Sequence, residues 1–261
     1  MTIHRNAVCF GLAATALIAA SAGALAAPAV GLKDDKTLVW FDTDKPAELK
    51  TIEVTGVDRL LGIDLRPADK MVYGVAADGS FLSINLETGA ATAVSKLDTM
   101  LPDGVSASVD FNPMADKLRL MGSDGTNLRA DPATGKVTTD GALAFESGDA
   151  GAEMKPNIIA TAYINSFGKP EKTAMYDIDA SGTFIQQTKP NDGTLKTIGK
   201  LGVTLGEAVG FDVQTTEDGT NTAWLATGGV LYKVNLETGA AEKAADGADA
   251  GLRDLAILPA M

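Results

Sequence analysis

From residue 29 onward, apolar and polar positions alternate in short runs rich in Val, Ile, Leu, Thr and aromatic residues. Gly, Asp, Asn or Pro breaks the pattern every eight to twelve residues, and helical spacing is nearly absent. A period of two with such punctuation predicts β-strands joined by tight turns. One stretch recurs letter for letter: Asn85-Leu86-Glu87-Thr88-Gly89-Ala90-Ala91 reappears as Asn235-Leu236-Glu237-Thr238-Gly239-Ala240-Ala241, each copy following an alternating run. An internal repeat of this kind sets the architecture before any other feature is weighed.

The strands fall into groups. Gly62-Ile63-Asp64-Leu65-Arg66-Pro67 has counterparts in residues 108–113 and 210–214, with weaker relatives at 161–165 and 254–259. Each opens a unit, as its strand a. A second strand ends at a turn such as Ala77-Asp78-Gly79 or Ser123-Asp124-Gly125. A third ends at a turn such as Leu86-Glu87-Thr88-Gly89 or Asp131-Pro132-Ala133-Thr134-Gly135, and a fourth leads onward. Glycine closes these turns because it enters the left-handed region without steric cost. Full units begin near residues 62, 108, 161 and 210. The last strand a, near 254, has no chain left for its partners, whereas three strands without a strand a lie at 29–32, 37–42 and 49–55. The expected fold is therefore all-β: a five-bladed β-propeller of four-stranded antiparallel blades, the last blade shared between the N- and C-terminal strands. Such sharing removes free sheet edges. The connection at 139–158, rich in Gly and acidic residues, reads as a loop.

The first 26 residues change which chemistry is available. Arg5, the apolar stretch 7–20 and Ala24-Leu25-Ala26 have the pattern of a cleaved signal peptide, so residues 27–261 are expected as a single exported domain, periplasmic or secreted. The chain's only cysteine, Cys9, and only histidine, His4, lie inside that segment. The mature chain then has no disulfide, thiol nucleophile, imidazole base or Cys/His site for zinc. Carboxylate, amine, hydroxyl and backbone chemistry remain, with oxygen-seeking cations such as Ca2+ as the metals this set could hold; no cofactor is required. Removing Arg5 from the 22 basic residues leaves 21 against 34 acidic ones, a net charge of −13. That balance argues against nucleic acid and anionic membrane surfaces as partners. A small polar ligand, a cation or a protein partner is expected, on a monomer.

The assembled pieces resemble a secreted bacterial family known only as domain of unknown function 4394. They are GIDLRP (62–67), VDFNP (109–113), NLRADPATG (127–135), AYINS (162–166), YDID (176–179), KPNDGTLKTIGKLG (189–202), GFDV (210–213) and LYKVNLETGAA (231–241), and together they cover essentially the whole mature chain. The resemblance implies an exported propeller-like protein and supplies no catalytic residues. Lys189 stands where the family's turn often carries an additional proline.

In a propeller, strand a of each blade lines the central channel. This predicts a ring of Asp64, Asp110 and Asp212, with Tyr163 at the fourth position and Ala256 or Asp254 at the fifth. A second polar ring is expected from Arg66, Asn112, Asn165 and Gln214. The connections between blades, with Asp98, Asp103, Glu146, Asp149 and Asp249, are expected at the channel mouth, and the repeated NLETGAA turns on the opposite face. Three roles are open to the aspartates: accepting backbone N–H bonds, converging on a cation or small polar ligand, or forming the carboxylate pair of a glycoside hydrolase. The expected function is a non-catalytic binding module, with a carboxylate-dependent hydrolase as the alternative. Residues 177–182 mimic the start of a calcium loop, but Thr188 stands where a bidentate Glu is needed, so a strand-ending turn is expected there. Trp40 and Trp224 lie in apolar strand segments and are expected in the core.

Overall fold

A computed structural model describes residues 26–259. The signal-peptide pattern, with Cys9 and His4, falls outside the described residues. Three strands come first: β1 (Pro28–Lys33), β2 (Thr37–Asp42) and β3 (Lys45–Glu53). The first complete blade follows as β4 (Leu60–Arg66), β5 (Met71–Ala76), β6 (Ser80–Ile84) and β7 (Ala91–Lys96). The second is β8 (Ala107–Asn112), β9 (Lys117–Gly122), β10 (Asn127–Ala130) and β11 (Val137–Thr139). A two-residue strand, β12 (Ala144–Phe145), precedes the third blade, β13 (Ile158–Tyr163), β14 (Met175–Asp179), β15 (Thr183–Lys189) and β16 (Thr194–Lys200). The fourth is β17 (Val209–Thr215), β18 (Asn221–Thr227), β19 (Val230–Val234) and β20 (Ala241–Asp246), and the chain closes with β21 (Leu252–Ile257).

Five sheets result, each built on four antiparallel strands; in four of them those strands run in sequential order, and the fifth is ordered β21-β1-β2-β3. The closing blade pairs Val30 with Ala256 and Ala29 with Ile257, so the last strand of the chain forms its inner edge. One expectation is amended: residues 139–158 contain β12, which adds parallel to β16 as a fifth strand of the third blade. Its register, Ala144 with Thr194 and Phe145 with Leu195, gives an otherwise open outer strand a partner.

The burial of each strand follows from its place in the blade. Inner and middle strands are covered on both faces by neighbouring blades, and β5 and β9 are buried almost throughout. Outer strands β7 and β20 carry mostly exposed side chains. The core lies between blades. Tyr73 stacks on Phe81 at 5.1 Å, and Phe111 of the next blade meets Phe81 edge-on at 6.1 Å. The same arrangement recurs two junctions on, as Tyr176, Phe184 and Phe211. Trp224 is buried and Trp40 packs partly buried against the core, as their sequence context implied.

The recurring heptapeptide is explained by its turn. Asn85 Oδ1 accepts the N–H groups of Glu87 and Thr88, and Gly89 closes the turn with φ +73. Asn235 does the same for Glu237 and Thr238, and Asp131 for Ala133 and Thr134. Gly89 also approaches the Glu53 backbone of the preceding blade so closely that a Cβ would collide with its carbonyl oxygen. Asparagine sets the turn and glycine lets blades nest.

Candidate functional site

The innermost strands β4, β8, β13, β17 and β21 surround the axis, and their backbone N–H groups need acceptors that no blade partner supplies. Side chains of the preceding blade supply them. Asp64 accepts from Phe111 N–H at 2.7 Å, Asp110 from Tyr163 at 3.0 Å, Asp212 from Ile257 at 2.5 Å, and Asp254 from Ile63 at 2.8 Å. Ser108 Oγ does the same for Thr161 at 2.9 Å. In every case the acceptor bonds the residue one position further along in the next blade. Asp64, Asp212 and Asp254 each accept a second N–H from the residue that follows them in their own strand. These bonds stitch the ring together, because a buried N–H without a partner is costly.

The same register fixes ring positions. Phe111 follows Asp110 as Tyr163 follows Ala162, so Ala162 stands at the fourth position where Tyr163 was expected. Ala256 stands at the fifth, and Asp254 lies two residues earlier. The Tyr163 side chain is buried near Arg119, whose Nε approaches its hydroxyl at 3.4 Å.

Asp64, Asp110 and Asp212 do converge. Each is buried, and each offers a carboxyl oxygen within 4.8 Å of the other two. Burial, then the Asp212 charge, pushes Asp64 well above the usual carboxylate range. Burial with Asp64 and Asp212 beside it does the same to Asp110. Asp212 is pushed up to about 7 and Asp254 to about 8, both chiefly by burial. The trio differs in one respect. Both oxygens of Asp64 and of Asp212 accept backbone N–H groups, whereas Asp110 engages Oδ1 alone. Among the described residues its Oδ2 accepts no hydrogen bond, although Asp110 is only 4% exposed.

The three carboxyls line a cavity of about 800 Å³. Its walls include Leu65, Val213, Ile257 and Leu258, and its rim Lys70, Phe167, Glu217, Asp218 and Lys233. The rim is built from the turns that follow strand a, at Pro67–Lys70, 166–168 and 215–220. The mouth thus opens on the face opposite the one expected, and the NLETGAA turns share that face. Four of the five acids named for the connections between blades are engaged elsewhere. Asp149 accepts from Thr197 and Gly151, Glu146 from Thr188 and Asp98 from Val137, and Asp249 pairs with Lys33.

Of the second polar ring, only Gln214 lines this cavity, and its Oε1 accepts Trp224 Nε1–H at 3.1 Å. Arg66 is held by Asp116 and Asp69. Asn112 caps the N–H groups of Met114 and Ala115, and with Tyr163 borders a separate cavity of about 450 Å³ beside Gln187 and Asn191. Asn165, at φ +61, exchanges hydrogen bonds with Asn221 beside a third cavity. Phe167, Lys70 and Lys233 were not singled out from the sequence, and nothing about an isolated Phe in a polar loop marks it as a rim residue. The calcium-loop mimic is a strand end: Asp177 is fully buried in β14, and Gly182 closes the turn.

Five meandering blades closed by the two ends of the chain, with carboxyls at the axis, define a five-bladed β-propeller. The chain belongs to the family described as domain of unknown function (DUF4394), whose model matches residues 37–256. Among solved structures it is similar to a protein of unknown function from Bacteroides thetaiotaomicron VPI-5482, with TM-score 0.52 and 16% identity, over 88% of this chain and 66% of that one. A protein of unknown function from Bacteroides caccae is similar at TM-score 0.45 and 12% identity, over 84% of this chain and 73% of that one. No curated protein sequence matches. Among the described residues, no helix is long and apolar enough to cross a membrane.

Proposed function

We propose that the protein is an exported, non-catalytic binding module that holds a cation, or the cationic group of a small polar ligand, on Asp64, Asp110 and Asp212. The observation that carries this reading is the convergence of three buried carboxyls within 4.8 Å at the floor of a cavity, one of them with an unengaged oxygen. Carboxyls so placed repel one another when ionised, and a bound positive charge removes that repulsion. The donor set, all carboxylate oxygen, fits a hard cation such as Ca2+, which Asp64, Asp110 and Asp212 would hold. Export rests on the N-terminal pattern and is tested by sequencing the N-terminus of the mature product, expected at Ala27.

The hydrolase reading finds less support. An acid and a nucleophile need environments that push their pKa values apart. All three aspartates are instead pushed in one direction, with burial the largest cause for each and neighbouring carboxyl charge adding to it at Asp64 and Asp110.

The test is thermal unfolding of residues 27–261 with calcium chloride, with chelator and with small amines. A ligand held only by the folded state at a hundred times its Kd stabilises by about 2.7 kcal/mol. The expected result is a raised midpoint that Asp110→Asn abolishes. A midpoint that neither calcium nor any amine moves at millimolar concentration overturns the reading.

A further inference from the structure

A bare ion leaves most of this cavity unexplained. A volume of about 800 Å³ lies in the range that holds a small organic molecule. The cavity lining mixes apolar residues, Leu65, Val213, Ile257 and Leu258, with polar ones, among them Gln214, Thr215, Thr220 and Thr222. The rim adds Phe167, an aromatic ring left 39% exposed. The apolar part of this lining, with Phe167, stabilises an apolar body by roughly 25 cal/mol for each Å² removed from water.

The floor narrows the choice further. A primary ammonium has three N–H donors and no acceptor, and its charge favours carboxylate partners. Three acceptors at ~2.8 Å from a tetrahedral nitrogen stand ~4.6 Å apart. The oxygens of Asp64, Asp110 and Asp212 lie within 4.8 Å of one another, near enough for one ammonium nitrogen to reach all three. Asp110 Oδ2 has no other partner, and each oxygen of Asp64 and Asp212 keeps a lone pair beyond the N–H it accepts. The rim carries Lys70 and Lys233 beside Glu217 and Asp218, so its charges balance and selection for a cation falls to the floor.

Resting on the cation-site reading, we infer that the occupant is an organic primary amine. Its ammonium group donates one hydrogen bond to each of Asp64, Asp110 and Asp212, and its apolar body runs up the cavity to Phe167.

The experiment is calorimetric titration of residues 27–261 with phenethylamine, phenethyl alcohol, tetramethylammonium chloride and calcium chloride. Phenethylamine is expected to bind one per chain, at least about tenfold more tightly than the alcohol, which lacks the charge. Tetramethylammonium, which has no N–H, is expected to bind at least about tenfold more weakly than the amine. Asp110→Asn should weaken the amine by about tenfold or more. Phe167→Ala, at an exposed rim position, should weaken it by about threefold or more with an unchanged unfolding midpoint. Equal binding of amine and alcohol overturns the inference. Calcium binding without any amine binding also overturns it while leaving the cation site standing. If neither calcium nor amine binds, the cation-site reading falls and the inference with it.

Discussion

Asp177 offers a clean test of how burial acts on this fold. Its side chain is fully buried, accepting from Thr161 Oγ1 at 2.6 Å and Gln187 Nε2 at 2.9 Å. Burial pushes its pKa from 3.8 up to about 6, against the pull of those two hydrogen bonds. The folded state therefore binds the proton more tightly than the unfolded chain does. Stability from this residue is full below about pH 4 and falls as pH rises through 6. A shift of roughly two units, at about 1.36 kcal/mol each, makes the ionised form cost about 3 kcal/mol. The substitution Asp177→Asn removes that charge. An amide at 177 can donate to Gln187 Oε1, now buried without a hydrogen-bond partner, once that side-chain amide turns over; Nε2 then takes the unpartnered place, so the number of unpaired polar atoms is unchanged. The variant should match the wild type near pH 4 and exceed it by about 3 kcal/mol at pH 8, a rise of roughly 6–12 °C in Tm for a chain of this size. Thermal unfolding followed by circular dichroism at unit pH steps reads this directly. Other acids titrate in both proteins and cancel in the difference. A variant no more stable at pH 8, or a difference flat with pH, would refute the reasoning.

Four further substitutions probe the ring, a buried network and the nesting of blades. Ser108→Ala deprives the buried Thr161 N–H of its acceptor and should cost about 1–3 kcal/mol in urea unfolding. Arg119→Met empties the centre of a buried network in which the guanidinium donates to Asn127, Asp140 and Asn191. A loss of about 3–5 kcal/mol is expected, seen as a lower urea midpoint with an unchanged slope. Gly89→Ala should cost more than Gly104→Ala, which sets a baseline of about 1–2 kcal/mol for positive φ alone. Both have φ above +70, but only Gly89 sits against backbone, whereas Gly104 has nothing within 4 Å. Equal losses at the two sites would show that blade nesting adds nothing.

The blade count, the turns and the closing pairing were legible because strand a, the glycine turns and NLETGAA recur along the chain. The aspartates' convergence followed from the same repeat. The fourth ring position was misjudged because Thr161-Ala162-Tyr163 breaks the Asp pattern, and in a strand a slip of one residue moves a side chain to the other face. The mouth was placed on the wrong side for a different reason. Long acidic connections look like rim loops, but Asp149 and Glu146 are drawn instead onto Thr197 and Thr188 of the third blade's outer strands. Arg119 escaped notice altogether, since Lys117-Leu118-Arg119-Leu120 reads as an ordinary alternating strand. Its partners Asp140 and Asn191 lie 21 and 72 residues away, a distance local pattern does not report.

The pairing of β1 with β21 has a kinetic consequence. Ala29 and Ile257 are neighbours in one sheet though separated by nearly the full chain. Closing a loop of that length costs about 5 kcal/mol of chain entropy. During synthesis the first three strands are made long before their fourth partner exists. Until residues 252–257 emerge, the β1 edge and the axial N–H of Ile63, which Asp254 later accepts, stand open. Completion is thus a single late event that checks the integrity of the whole chain. A product truncated before β21 retains four blades yet exposes a strand edge, the feature that invites aggregation and proteolysis.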